Sequence, residues 1–338
     1  MEEYINIFID KEYPSFIDKY LTTKTLNRIK HVTQFCGCDY TKLYSPRFKY
    51  TRFDHSLVVA HMTWHFTHDL KETIVALLHD VGTPCFAHTI DIAFGDCINQ
   101  ESSEIDIVEI IKKDKKLMEY LDQDGISLDD IKNYTRYYIL ENKSPKLCTD
   151  RLDGVLHTCY IWIHTHTLEQ IKEVYNDLTI LKNEDNNKEI GFKSVKVAEE
   201  FVSMVYNYAH ELQWNKDKYV MKYISEIVKK SFERKLISLD DLYTKKEEDI
   251  CDIFNNNFFS WKKFTKAEFI SRSDTEPIGM FYISFETKKR NVIPLVQIDG
   301  SSKRIDTVSD YAKELYEKFN SEKDAKYAYI KDIDSLEW

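Results

Sequence analysis

Residues 77–88 read Leu77-Leu78-His79-Asp80-Val81-Gly82-Thr83-Pro84-Cys85-Phe86-Ala87-His88. An apolar helical run, Thr73 to Leu78, delivers an adjacent His and Asp and then breaks at Gly82 and Pro84. Adjacent residues on a helix point about 100° apart, so His79 and Asp80 can chelate one ion only from a helix end or with long side-chain reach. The break directly after the pair supplies that freedom. Taken alone, the dipeptide also fits an ordinary helix C-terminus with a surface His-Asp, so the rest of the chain decides.

At 338 residues the chain is long enough for one large domain plus a smaller one, or for two. Only 8 Gly and 6 Pro describe a helix-rich protein without low-complexity linkers. The formal charge of −10 argues against a general nucleic-acid or anionic-membrane surface, while leaving room for a local basic pocket. Met1 to Ser15 lacks a charged segment followed by an apolar run, so no signal peptide is expected. No run of about 18 apolar residues occurs, so no membrane span is expected. The seven cysteines are scattered without a CxxC pair, which fits reduced thiols in a cytoplasmic protein.

Working outward, Arg52 to Thr67 and Lys71 to His79 read as helices, and Pro84 to Gly95 as a turn and short helix. Residues 1 to 35 read as helical, with one segment from Thr25 to Phe35, followed by a loop from Cys36 to Thr51. Ser102 to Leu121, a short helix capped by Ser127, Asn133 to Asn142, Leu147 to His166, two long helices within Val195 to Arg234, and a short capped helix within Leu236 to Leu242 follow. Beyond about residue 258, Ala267 to Ser271, Met280 to Thr287 and Val292 to Val296 are aromatic and β-branched, as strands are, and Asp306 to Phe319 closes the chain as an amphipathic helix. The expected fold is mainly α: an all-helical body over 1–254 and a small α+β subdomain over 255–338.

Three places could supply metal ligands: His55 in Arg52-Phe53-Asp54-His55-Ser56, the pair His79-Asp80, and Asp150 in Thr149-Asp150-Arg151-Leu152-Asp153. Two imidazoles and two carboxylates make a mixed N/O site for a divalent ion, with Mn, Fe, Zn, Ni and Mg all compatible. Such an ion lowers the pKa of water and polarises a phosphoryl oxygen.

The succession His55, His79-Asp80, Asp150 resembles the HD superfamily of metal-dependent phosphohydrolases, and within it the deoxynucleoside triphosphate triphosphohydrolase branch. Arg52-Phe53-Asp54-His55-Ser56-Leu57, then His79-Asp80-Val81-Gly82 with Phe86 and His88, then Asp150-Arg151-Leu152-Asp153 carry the likeness. It is strong from 26 to 91 and around 150, and weak beyond 255. The resemblance implies an HD-domain helical bundle with one divalent ion held by His55, His79, Asp80 and Asp150. It implies that His88 acts as a general acid or phosphate contact, oriented by Asp91, and that Arg52 and Arg151 hold phosphate oxygens. Gln34 would help place a sugar. The implied reaction takes a dNTP to a deoxynucleoside and tripolyphosphate in a homo-oligomer, with no membrane or nucleic-acid polymer as partner.

The chain departs from that branch at four positions, one of them Thr158, which stands where an acidic residue is common. Thr83 and Asn99 stand where histidines are common, and Gly154 replaces an aromatic that lies against the sugar. These departures keep two alternatives open: another HD phosphohydrolase acting on a different nucleotide phosphoester, or a nucleotide-binding protein of impaired activity. His61, His65 and His68 share helical spacing, but His61 is about 240° round the helix from His55, so packing roles are expected for them. Asp153 and His157 are read as neighbours of the ligands rather than ligands. Arg47 and Lys49 near His55, and Lys143 and Lys146 near Asp150, suggest a pocket for a polyanion.

Overall fold

A computed structural model describes residues 1–95, 107–286 and 289–334. The fold is mainly α, with two small sheets. Its centre is the helix Arg52–Thr67. Thr51 and Asp54 close a reciprocal capping box at its start, and His68 ends it in the left-handed conformation at φ 49°. Asp69 caps the next helix, Leu70–Leu78, by accepting from the Glu72 amide. Every residue from Thr73 to Leu78 is buried, so this helix is enclosed on all sides. Val58 and Met62 belong to one apolar core, and Val59 and Ala60 to a second core shared with Ile74 to Leu78. The central helix is therefore pinned between two cores. Thr149–His157 crosses it, with Thr63 Oγ1 3.0 Å from Thr149 Oγ1.

Around these three helices lie His88–Ala93, Ile107–Lys112, Lys115–Gln123 and Leu128–Lys132, then the two long helices Val195–Gln213 and Asn215–Glu233. Ser127 caps its helix with a reciprocal bond to Asp130, as its position in the sequence suggests. Among the described residues, no helix is long and apolar enough to cross a membrane. The six described cysteines are free thiols.

Several expected elements need correction. Thr25 to Phe35 is not one helix: Lys24–Arg28 is helical, Ile29–His31 forms one tight turn, and the chain then extends. β-branched Val32 and Thr33 favour extension, and Thr33 bridges Thr51, with Gln34 N–H donating to Tyr50 O and Arg52 N–H to Val32 O. The expected helix ending at Leu121 is broken at Asp114, whose carboxylate accepts from the Leu117 and Thr25 amides. Its first part, and Asn99, lie outside the described residues. Asn133 to Asn142 contains only the turn Tyr134–Arg136, because Ile139 O and Leu140 O are used to hold the Thr149 and Asp150 amides.

The body over 1–254 is not all-helical. Strands β1 (Leu178–Lys182) and β2 (Lys188–Phe192) form an antiparallel hairpin. Downstream come β3 (Ser271–Ser273), β4 (Met280–Ile283), β5 (Leu295–Ile298), β6 (Ser301–Arg304) and β7 (Tyr327–Asp334). One sheet has the order β1-β2-β5-β6, and the other β3-β7-β4. β2 runs parallel to β5, pairing Gly191 with Leu295, so the first sheet joins residues from both sides of position 254. A Cβ at Gly191 would sit 2.8 Å from Leu295 O, which reserves the position for glycine. The last helix is Asp310–Ser321, and β7 follows it.

Candidate metal centre and its cavity

His79 is the C-cap of Leu70–Leu78, so its side chain and that of Asp80 leave the helix end in one turn. Arg28 Nη2 holds that turn by donating to Val81 O at 2.8 Å and Thr83 O at 2.7 Å. His55 comes from the first turns of Arg52–Thr67, and Asp150 from the start of Thr149–His157.

These four side chains converge. His55 Nε2 lies 2.9 Å from Asp150 Oδ1 and 4.0 Å from Asp80 Oδ2. His79 Nε2 lies 3.7 Å from Asp150 Oδ1 and 4.0 Å from Asp80 Oδ2. Each imidazole has its other nitrogen committed: His55 Nδ1 to Asp153 Oδ2 at 2.6 Å, and His79 Nδ1 to Ala76 O at 2.7 Å. With Nδ1–H donating outward, each Nε2 is left to face the carboxylates. That donor set fits a divalent transition ion.

The same contacts set the electrostatics. Burial opposes charge on His55, but hydrogen bonds to Asp150 and Asp153 raise it to about 10. Asp80 is held far below the usual carboxylate range; burial acts against this, and Arg52, His79 and His55 outweigh it. Asp150 is lowered in the same way, by His55 and His79 against burial. The carboxylates thus stay ionised and attract positive charge.

Asp153 is fully buried and accepts from Tyr4 Oη at 2.7 Å and Tyr50 Oη at 3.0 Å, besides His55; His157 Nδ1 lies 3.3 Å away. It fixes the His55 ring from behind. Arg52 Nη1 donates to Asp80 Oδ2 at 2.9 Å, and Thr83 Oγ1 to Asp80 Oδ1 at 3.1 Å.

The cluster opens into a cavity of about 570 Å³. Gln34, Arg52, His88, Asp91, Arg151 and Gly154 all line it, together with His55, His79, Asp80 and Asp150. His88 Nδ1 lies 3.1 Å from Asp91 Oδ2. Burial lowers the His88 pKa, and nearby Arg290 and Arg52 act in the same direction. Gln34 Oε1 and Arg52 Nε are buried without a protein partner. Nothing lies within 4 Å of a Cβ placed on Gly154, so that part of the wall is open.

Two expectations change. Arg151 is turned toward the 141–146 loop: Nε donates to Lys146 O at 2.9 Å, Nη1 to Glu141 at 2.7 Å, and Nη2 to Asn142. It braces the cavity wall rather than offering its guanidinium to phosphate. The basic clusters beside the ligands point elsewhere, with Arg47 on Tyr160 O, Lys49 on Glu248 and Lys146 on Asp185. Lys132 and Arg290, remote in sequence from any ligand, line the cavity instead, as do Tyr134, Trp162 and Tyr208. No spacing rule marks them, because the fold alone brings them in. His61 is buried, with its pKa lowered to about 4 by burial, and His65 pairs with Asp10 at 3.1 Å. Both stand apart from the cavity.

No family model matches the chain. The uncharacterized protein YdhJ of Bacillus subtilis (strain 168) is 24% identical over 239 residues, 70% of each chain. A phosphohydrolase of Bacteroides thetaiotaomicron, BT4208, has a similar structure, with a TM-score of 0.62, 15% identity and 96% of each chain covered. A hypothetical protein of Aquifex aeolicus superposes with a TM-score of 0.57 and 16% identity over 93% of this chain and 92% of its own. At these identities the likeness is one of fold.

Proposed function

We propose that this chain is a metal-dependent phosphohydrolase acting on nucleotides, and that it takes a dNTP to a deoxynucleoside and tripolyphosphate. The observation that carries the reading is the convergence of His55, His79, Asp80 and Asp150 on one cavity that also holds Arg52 and His88. The fold shared with a protein named as a phosphohydrolase supports it.

His55, His79, Asp80 and Asp150 would hold the ion, which supplies Lewis acidity and an activated water. Arg52 stands with one nitrogen on Asp80 and with Nε uncommitted to protein, suited to a phosphate oxygen. His88 donates Nδ1–H to Asp91, leaving Nε2 as the nitrogen that exchanges a proton with the substrate. An entering phosphate adds negative charge, which raises His88 from its depressed state and readies it to protonate a leaving oxygen. Gln34, Tyr134, Trp162 and Tyr208 line the space that a nucleoside would enter.

The open wall at Gly154 favours a second reading, hydrolysis of a different nucleotide phosphoester. Incubation with a divalent metal and dNTPs, rNTPs, nucleoside monophosphates or cyclic dinucleotides, with chromatography of the products, separates the two. Tripolyphosphate with deoxynucleoside is expected. Orthophosphate or a linear dinucleotide would move the substrate class, and absence of turnover with every metal would overturn the enzyme reading.

A further inference from the structure

Glu247, the first residue of the helix Glu247–Asn257, does not line the cavity, yet it is fully buried and ties together two segments that do. Its Oε2 accepts from the Phe86 amide at 2.7 Å. Its Oε1 lies 3.0 Å from Thr33 Oγ1, and Thr33 Oγ1 lies 3.1 Å from Asp39 Oδ1. A threonine hydroxyl has one proton and cannot donate to two carboxylates. A proton on one of the two acids lets that acid donate to the hydroxyl and satisfies both contacts at once. Burial raises Glu247 to about 8 and Asp39 to about 6, which assigns the proton to Glu247. A directed chain results: Phe86 N–H to Glu247 Oε2, Glu247 Oε1–H to Thr33 Oγ1, and Thr33 Oγ1–H to Asp39.

Thr33 and Phe86 are each next in sequence to a residue that lines the cavity, Gln34 and Ala87. Phe86 and Ala87 have φ of 63° and 44°, a left-handed pair of non-glycine residues immediately before His88. Such a conformation persists only where surrounding bonds impose it. Here Glu247 holds Phe86, while Cys85 N–H donates to Leu242 O at 2.9 Å and Cys85 Sγ to Lys245 O at 3.6 Å.

We propose that Glu247 is a positioning residue: its protonated carboxyl clamps Thr33 to Phe86 and so presents Gln34 and His88 to the cavity. The proposal rests on the reading that Gln34 and His88 meet substrate. Besides Asp39, the titratable groups around Glu247 are Cys85, Tyr40 and Cys251, with Glu248, paired to Lys49, beyond them and Arg28 facing Cys85. Their predominantly acidic character makes loss of the proton put two negative carboxylates on one hydroxyl. The clamp then loosens as pH rises.

Glu247→Gln separates the proton from the shape, because a carboxamide accepts from Phe86 and donates to Thr33 but cannot ionise. With phenylalanine amides isotopically labelled and Phe86 assigned through Phe86→Leu, its resonance in the native chain is expected to titrate with a midpoint near pH 8, and to stay constant in Glu247→Gln. With dNTPs and metal, kcat should fall through the same midpoint in the native enzyme and not in Glu247→Gln. Glu247→Leu, which can neither accept nor donate, should lose kcat at neutral pH by about tenfold or more with metal affinity retained. A Phe86 resonance that does not titrate, or that titrates equally in Glu247→Gln, overturns the clamp. So does Glu247→Leu with native kcat. Titration of Phe86 without turnover of any nucleotide supports the clamp while overturning the functional reading. If Glu247→Leu fails to fold, the comparison of native with Glu247→Gln still decides.

Discussion

Asp153 Oδ2 lies 2.6 Å from His55 Nδ1, and that contact fixes which nitrogen of His55 faces Asp150 and Asp80. Outer partners of metal-binding histidines typically change metal affinity by about 10–100-fold when removed. Asp153→Asn is expected to weaken metal binding by that factor, read by calorimetric titration. It should also lower the melting temperature, since an amide nitrogen would confront one of the hydroxyls of Tyr4 and Tyr50.

His88 separates chemistry from metal binding. It reaches the cavity but lies outside the four-residue cluster. His88→Gln should reduce kcat by about 10²–10⁴-fold, the usual contribution of a proton-transferring side chain, with metal affinity unchanged. Equal loss in metal affinity would make His88 part of the ion site.

Gly154 sits inside the helix Thr149–His157 with ordinary backbone and nothing near a Cβ. Gly154→Ala should stabilise the fold by about 0.5–1 kcal/mol in denaturant unfolding, because alanine loses less entropy in a helix. Destabilisation would show that the wall is closed there.

Glu247 predicts a slope of stability against pH. Its pKa is about 8 in the folded chain, above the ordinary carboxyl value. Between those two values the folded state holds a proton that the unfolded chain has lost, so stability falls as pH rises and levels off above about 8. The slope attributable to this group is that of a single titrating proton. Glu247→Gln removes that contribution, so urea titrations of the two proteins should diverge over this window, with the variant more stable at its upper end.

The four clustered side chains were legible in the sequence because each has a local signature. His79-Asp80 stands where an apolar run breaks, and His55 and Asp150 each begin a helix whose cap or periodicity is visible. What the chain conceals is tertiary. The helical spacing of Leu26, Ile29 and Val32 is real, but the bridge of Thr33 to Thr51 overrides it and places Gln34 on the cavity wall. The β1–β2 hairpin gains its place from a parallel partner more than a hundred residues away, which no local window registers. Arg151 has the motif position of a phosphate contact, but Glu141 and Asn142 take its guanidinium. Arg290 and Lys132 lie next to no ligand in sequence and still reach the cavity.

The central claim is that His55, His79, Asp80 and Asp150 form a metal centre on which hydrolysis depends. Its most direct test is metal content and nucleotide turnover measured together on the native chain and on His79→Ala/Asp80→Ala, with circular dichroism as the check on folding. One bound divalent ion and turnover in the native protein, and loss of both in a variant of unchanged helicity, is the expected result. Turnover that survives in the variant would contradict the assignment.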